Sequence, residues 1–591
     1  MRLNLLQFQD LASAYEQMTK TTSRSELTTI LVDVLRKSSV DEIGKVVYLT
    51  QGKLYPDFFG IEIGMAEKTA SHALEIAFGT SPKKIQEYLK KIGDLGSVAE
   101  VVSKNRVQQT FFAENLDLEN VYKTLDEIAR KSGKGSSGYR IGRLVNLLNS
   151  ASSLEAKFLI RFVTGNLRLG VADFTVLDAL AIAYTENKEN RAELEHAYNL
   201  TSDLGYVATI LARDGMASIL SVKVEAGRPI RPMLAERLPT SEEIIEKMNF
   251  GAYAEYKLDG ERMQAHKTND GEIALFSRRL EKITSQYQDV VEALETIPAK
   301  NFIMEGEIVA IDSHGRYLPF QELMHRRRKY DLDEAMKKYP VRINLFDLML
   351  IDGESLIDEP YEARRKKLES VLDSVKSDKI LLVPCRRVKT AKNIDDFMQR
   401  SLQEGCEGVV VKELNGLYRA GSRGYAWIKF KPEYRPEMRD TLDLVIIGAD
   451  HGMGRRTGVY GAFLLAAYDK KGDVFKSTSK IGTGFTDANL EEITNLLDEH
   501  KIPARSPRVD SKADAQVWFE PQVVIEVITS EITLSPMYTA GWGMVREKSG
   551  LALRFPKFTG RLRTDKAPED ATTEQELLEM YKNQKKTYRS D

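Results

Sequence analysis

The segment Glu255-Tyr256-Lys257-Leu258-Asp259-Gly260-Glu261-Arg262 holds a lysine, an aspartate two residues on, then a glycine and an arginine. A lysine amine attacks an electrophile such as phosphorus only when deprotonated, and burial beside cations or a metal ion lowers a lysine's pKa toward neutrality. Gly260 lets the backbone approach a ligand closely. Alone, the segment reads better as a surface Lys-Asp turn. Further along, Phe302-Ile303-Met304-Glu305-Gly306-Glu307 alternates so that Glu305 and Glu307 share one face of a strand. A carboxylate projecting from a sheet suits Mg²⁺, and a solvated edge strand would look the same. In Trp427-Ile428-Lys429-Phe430-Lys431 the two lysines fall on one face. Like charges at that spacing repel, so their convergence makes sense around an anion such as a phosphate; lysines on an exposed strand edge are the common alternative.

Other segments extend the pattern: Phe276-Ser277-Arg278-Arg279, Asn344-Leu345-Phe346-Asp347-Leu348, Glu404-Gly405-Cys406-Glu407-Gly408 running to Lys412, Arg423, and Leu553 through Lys566. In this order and at these separations they resemble the successive motifs of ATP-dependent DNA ligases of the archaeal and eukaryotic replicative type. The resemblance implies sealing of 3′-OH/5′-phosphate nicks in duplex DNA, during replication, repair and recombination, with ATP and Mg²⁺. Lys257 would carry AMP, and Asp259 would orient the DNA end or a metal. Glu255 would read the adenine amino group, and Phe346 would stack on the base. Arg262, Arg278, Lys412, Arg423, Lys429 and Lys431 would hold the ribose and phosphates. Glu307 would bind nucleotide and metal, with Glu407 the second metal-linked carboxylate. Glu305 stands where the family commonly has Asp. Arg561, Arg563, Asp565 and Lys566 would orient the departing pyrophosphate, although Gly560 disturbs the residue-by-residue match.

The elements that must position these groups divide the chain. Residues 1–226 carry apolar residues at helical spacing, as in Phe158, Leu159, Phe162 and Val163. They are expected to form an all-α bundle, and the resemblance makes it a DNA-binding domain. Gly227-Arg228-Pro229-Ile230-Arg231-Pro232 reads as a stiff linker. Residues 227–436 mix strand-like runs with helices, an α+β pattern that the resemblance makes the nucleotidyltransferase (adenylation) domain. Residues 437–591 read as a small β-barrel, an OB-fold by resemblance, ending in a polar helix with a frayed tail. Gly165, Asn166 and Arg168 would meet DNA at a helix junction. Ser132 through Arg140 is expected to be a mobile basic loop. Gln108-Gln109-Thr110-Phe111-Phe112 resembles a shortened sliding-clamp-binding box, with core packing of the two phenylalanines an equal alternative.

Composition excludes other classes. The 85 Lys+Arg against 87 Asp+Glu leave a net charge of −2, so a nucleic-acid surface would have to be a local concentration of base. The 2 cysteines, Cys385 and Cys406, cannot build a disulfide framework or a four-cysteine zinc site, and both are expected to be buried in a reducing compartment. That argues against NAD-dependent ligases, whose family has four zinc-binding cysteines. No apolar run approaches the ~20 residues needed to span a bilayer, and no secretory h-region is expected at the start. A monomer is expected, in the nucleoid-bearing cytoplasm of a prokaryote or the nucleus of a eukaryote. RNA ligases and capping guanylyltransferases are the nearest rivals, and a nonenzymatic DNA-binding scaffold is the rival of another class. The long helical segment speaks against the first two, and intact Lys257, Glu307, Glu407, Lys429 and Lys431 against the third.

Overall fold

The computed structural model describes residues 6–104, 116–248, 251–318, 320–324, 326, 332–431, 441–452, 456, 458–529, 531–554 and 556–587. From Phe8–Met18 to Met216–Leu220 the named elements are helices. Their centre is Ser153–Val163, buried at every position from Glu155 onward and started by a Ser152–Glu155 capping box. The loop expected over Ser132–Arg140 is half as long, because the helix Ser136–Ser150 begins directly after Gly135, which takes a left-handed φ of 83°. A left-handed glycine ends a turn without steric cost, and the serines behind it can then enter a helix.

The middle of the chain supplies β1 (Leu234–Arg237), β2 (Ala252–Lys257), β3 (Glu261–Lys267), β4 (Ile273–Ser277), β5 (Phe302–Ala310), β6 (Val341–Ile351), β7 (Glu354–Ser355), β8 (Ile380–Leu382), β9 (Cys385–Val388), β10 (Gly408–Glu413) and β11 (Arg423–Phe430). They form two sheets, in the orders β1-β11-β10-β2-β9 and β4-β3-β5-β6-β7, with β8 beside β6. The turn after Lys257 joins one sheet to the other, and only glycine fits it. A Cβ on Gly260 would stand 2.2 Å from the Ile308 carbonyl oxygen. Gly408, opposite Lys257 on β10, has φ 144° and would place a Cβ 2.3 Å from the Phe430 carbonyl oxygen. Both glycines bring backbone close to the strand end that carries the lysine. Cys406 is buried, whereas Cys385 is only half-buried, because the edge strand β9 has a neighbour on one side alone.

The C-terminal part contains β12 (Thr441–His451), β13 (Tyr460–Asp469), β14 (Val474–Ile481), β15 (Lys501–Ile502), β16 (Val509–Asp510), β17 (Val517–Ile528), β18 (Glu531–Ser535), β19 (Gly550–Arg554) and β20 (Lys557–Leu562). β15-β17-β12-β13-β14-β16 form one sheet, β20 joins it on β17, and β18 pairs with β19. The closing helix, Glu574–Thr587, is not polar all round. Leu577, Leu578 and Tyr581 lie in the core of this unit, at the spacing of one helical face.

One buried ion pair fixes a helix against the second sheet. Arg364 and Asp347 have no exposed side-chain surface, and their closest approach is 2.7 Å. The pair ties the helix Tyr361–Leu372 to β6. Removing one partner strands a buried charge, which costs about 3–5 kcal/mol, whereas an apolar pair of similar volume is close to neutral. Denaturant unfolding should therefore show Asp347→Ala losing about 3–5 kcal/mol, and the double change Asp347→Leu with Arg364→Met losing less. A double variant weaker than the single one would contradict this account.

Candidate active site

Lys257 ends β2 with its side chain one-quarter exposed, and its Nζ donates to Glu407. Glu407 is held there by its own N–H, which donates to the Lys257 carbonyl at 2.8 Å. Two further cations share that carboxylate: Lys431 Nζ at 2.9 Å and Arg561 Nη2 at 3.0 Å. Burial alone would raise Glu407, but Lys257, Lys431 and Arg561 hold it well below the usual carboxylate range. Asp259 lies beside the cluster, with Oδ1 accepting from Arg561 Nη2 at 3.1 Å and Oδ2 from the Phe320 N–H at 3.1 Å. Burial and the charge of Glu407 raise Asp259. Glu307 projects from β5 opposite Arg262. Burial, against the pull of Lys257 and Arg262, pushes it up to about 8.

Behind the lysine lies a pocket wall of aromatic rings and buried charges. Glu255, 2% exposed, accepts from Lys412 Nζ at 2.7 Å, from Arg365 Nη1 at 3.4 Å and from the Tyr361 hydroxyl. Lys412 sits over three rings, 4.3 Å from the Trp427 centroid, 4.5 Å from Phe346 and 4.6 Å from Tyr361. Arg262 lies 5.4 Å from the Trp427 centroid and 5.6 Å from Phe346, and Phe346 and Trp427 meet edge to face. Glu305, the other carboxylate of the β5 face, is consumed by Arg262 Nη2 at 2.7 Å.

The C-terminal unit supplies a second set of charges. Arg563 pairs with Asp565 at 2.9 Å and with Asp443 at 3.1 Å, and Lys566 also bonds Asp443. Burial and Arg563 pull Lys566 down to about 7 against the attraction of Asp443. Arg278 faces Asp570 at 3.5 Å, Arg279 Nη2 donates to the Lys566 carbonyl at 2.6 Å, and Arg423 pairs with Glu576. Lys429 and Lys431 do not flank one point. Lys431 reaches Glu407, while Lys429 faces Lys566, Arg237 and Arg423. Burial and those cations hold the Lys429 ammonium well below the usual lysine range.

Three family models match the chain in sequence order. They are the DNA ligase N terminus over residues 7–181, the ATP dependent DNA ligase domain over 232–431 and the ATP dependent DNA ligase C terminal region over 456–566. Over 592 residues the chain is 49% identical to "DNA ligase 2" of Thermofilum pendens, covering 98% of each chain. It is 47% identical to the "DNA ligase" of Nitrosopumilus maritimus, covering 98% of this chain and 99% of that one. A "Probable DNA ligase" of Aquifex aeolicus is 46% identical with the same coverage. The chain belongs to the ATP-dependent DNA ligases. The ligase thus gathers Lys257, Asp259, Glu407, Lys431 and Arg561 at one point, with Glu255, Arg262, Phe346 and Lys412 in the wall behind.

Several expected groups lie elsewhere or are already engaged. Glu255 and Lys412 are ion-paired with each other. Arg563, Asp565, Lys566, Arg278 and Arg423 are tied into ion pairs between segments. Arg168 is half-buried; its Nη2 donates to the Lys501 carbonyl at 2.9 Å, and its Nη1 lies 3.7 Å from Asp94. Gly165 and Asn166 occupy the same connection between the helices Ser153–Val163 and Asp173–Thr185, and Gly170 there abuts Pro507. The clamp-like segment Gln108–Phe112 lies outside the described residues. No helix among the described residues is long and apolar enough to cross a membrane. Sequence reasoning missed Arg365, Tyr361, Trp427 and Asp443. Asp443 carried a signal, a lone charge inside the apolar run Leu442-Asp443-Leu444-Val445-Ile446; Arg365 sits in a helix rich in charge and carried none.

Among the described residues no group of three or more His, Cys, Asp or Glu is arranged to hold a metal ion by itself. Mg²⁺ typically takes one or two carboxylates and fills the rest of its octahedron with water and phosphate oxygens. The raised Glu307 and Asp259 beside Glu407 fit such a partial donor set.

A carboxyl outside this cluster sets a pH dependence. Burial and the neighbouring Glu576 raise Glu236 from 4.5 to about 7, against the pull of Arg423. The folded state keeps that proton where the unfolded chain has released it, so the stability contribution is full below 4.5 and lost as pH rises through about 7. Thermal melts across that window should show Glu236→Gln flattening the decline; an unchanged slope would remove Glu236 as its source.

Proposed function

We propose that the protein seals 3′-OH/5′-phosphate nicks in duplex DNA through an AMP bound to Lys257 and then a DNA-adenylate, with ATP as the nucleotide. The carrying observation is the convergence of Lys257, Lys431 and Arg561 on the single carboxylate of Glu407. An arriving phosphate competes with Glu407 for these cations, which already stand where negative charge develops. Lys257 Nζ attacks the α-phosphorus and pyrophosphate leaves. The AMP then passes to the 5′-phosphate at the nick, and the 3′-hydroxyl displaces it to close the phosphodiester bond.

In this reading Phe346 stacks on adenine, Glu255 reads its amino group, and Arg262, Arg278, Lys412, Arg423, Lys429 and Lys431 hold ribose and phosphates. Glu307 and Glu407 would hold Mg²⁺, which when bound neutralises charge on the phosphate oxygens. Asp259 orients the DNA end. Arg561, Arg563, Asp565 and Lys566 orient the pyrophosphate in the first step, and the contact of Arg561 with Asp259 and Glu407 supports that placement. The domains are a helical DNA-binding unit (1–226), an adenylation unit (227–436) and an OB-fold unit with its tail (437–591). Gly165, Asn166 and Arg168 take up DNA once the C-terminal unit moves off them. The ligase works as a monomer, in the nucleoid of a prokaryote or the nucleus of a eukaryote, and Gln108–Phe112 offers a sliding clamp its contact.

Incubation with Mg²⁺ and α-labelled ATP should leave label on the wild-type chain in a denaturing gel and none on Lys257→Ala. Label from GTP or NAD instead would move the activity to a neighbouring family, and no label from any, in protein free of bound AMP, would leave a DNA-binding scaffold. Replacing Asp565 and Lys566 with alanine should slow Lys257 adenylylation at least about tenfold more than sealing of pre-adenylated nicks, the size of one lost charge-assisted contact. Equal losses in both assays would refute the first-step role.

A further inference from the structure

β3 places Arg262, Gln264 and His266 on one face, and each is bonded to the strap of residues 227–233 that enters from the helical segment. Arg262 Nη1 donates to the Met233 carbonyl at 2.7 Å. Gln264 clasps one residue at both ends, donating to the Ile230 carbonyl at 2.6 Å and accepting from the Ile230 N–H at 2.9 Å. His266 Nδ1 accepts from the Gly227 N–H at 3.1 Å. Nδ1 as acceptor leaves the hydrogen on Nε2, which donates to Gln264 Oε1 at 3.2 Å.

The same residues are chained along the strand. Gln264 Nε2 gives its second hydrogen to Glu305 Oε1 at 3.1 Å, and Glu305 Oε2 accepts from Arg262 Nη2 at 2.7 Å. The Gln264 amide thereby donates twice and accepts twice, its full capacity, so its orientation is determined. Gln264, His266 and Glu305 are all buried. Arg262 differs from them in one respect. Its Nε is buried and has no hydrogen-bond partner among the described residues, on a guanidinium that lies against the faces of Phe346 and Trp427. A buried donor without an acceptor is costly, unless a ligand supplies the acceptor.

We propose that Gln264 and His266 are positioning residues for nucleotide binding: through Glu305 they hold Arg262 so that its remaining Nε hydrogen meets an acceptor atom of the nucleotide. The strap then forms part of the nucleotide site, although none of its residues touches the ligand. This rests on the reading above that ATP binds against Phe346 and Arg262.

The test is steady-state labelling of Lys257 with α-labelled ATP and Mg²⁺ by the full chain, in wild type, Gln264→Leu, Arg262→Ala and the double variant. Gln264→Leu should raise the KM for ATP about tenfold and leave the maximal rate within about twofold, as loss of one oriented charge-assisted contact does. In the Arg262→Ala background it should raise KM no further, because an effect transmitted through Arg262 vanishes with it. A general loosening of the fold would persist in that background. If Gln264→Leu does not fold, His266→Asn, which can keep an acceptor for Gly227 but is too short for Gln264, is measured in both backgrounds, with a KM increase of about threefold expected. An unchanged KM, a fall in maximal rate alone, or the same increase with and without Arg262 overturns the proposal. Wild-type labelling with an Arg262→Ala enzyme of unaltered KM overturns it by removing ATP from Arg262, whereas a wild-type chain that takes no label sinks the ligase reading itself.

Discussion

Glu407 organises the molecule electrostatically. Its carboxylate is approached by Lys257 from β2, by Lys431 just after β11 and by Arg561 from β20. Three cations so close would repel strongly if the anion between them were removed. The arrangement therefore needs a negative group at that point at all times, either Glu407 or something that replaces it. A phosphate brings more negative oxygens than a carboxylate and can draw the cations off without new reorganisation. The same contacts join the C-terminal unit to the middle one, so the surroundings of Lys257 and the closure of the molecule share one set of charges.

Much of this was readable in the residues. The order of short motifs led to the family, and alternation placed Glu305 with Glu307. Helical spacing marked Phe158, Leu159, Phe162 and Val163, which lie in the helix Ser153–Val163. What alternation could not give was the direction in which residues at a strand's end turn. Lys429 and Lys431 share a face in the pattern, yet one meets the C-terminal unit and the other meets Glu407. Pairings across hundreds of residues were equally hidden, as with Arg423 and Glu576 or Arg168 and the Lys501 carbonyl. Local patterns carry no information about which distant surface a side chain will find.

Burial explains why so many charged residues here belong to chains of contacts rather than to isolated pairs. Asp347 with Arg364, Glu255 with Lys412 and Arg365, and Glu305 with Arg262 and Gln264 all lie in the interior. Each carboxylate has at least two bonds, which is what a desolvated charge requires. The result is a wall of fixed dipoles behind Lys257, stiff because a change at one member leaves its neighbour unsatisfied.

The bond between Arg168 and the Lys501 carbonyl has a thermodynamic corollary. The guanidinium is only 14% exposed, and its Nε and Nη1 are buried without a hydrogen-bond partner among the described residues, so the DNA contact proposed for it would require the C-terminal unit to uncover it. On that proposal, whatever free energy the contact contributes to compactness would by reciprocity be subtracted from the affinity of the compact form for DNA, and DNA would oppose compaction by the same amount. Such antagonism would order events without any separate regulator: a molecule whose C-terminal unit is engaged beside Lys257 would, by that engagement, have less appetite for a nick.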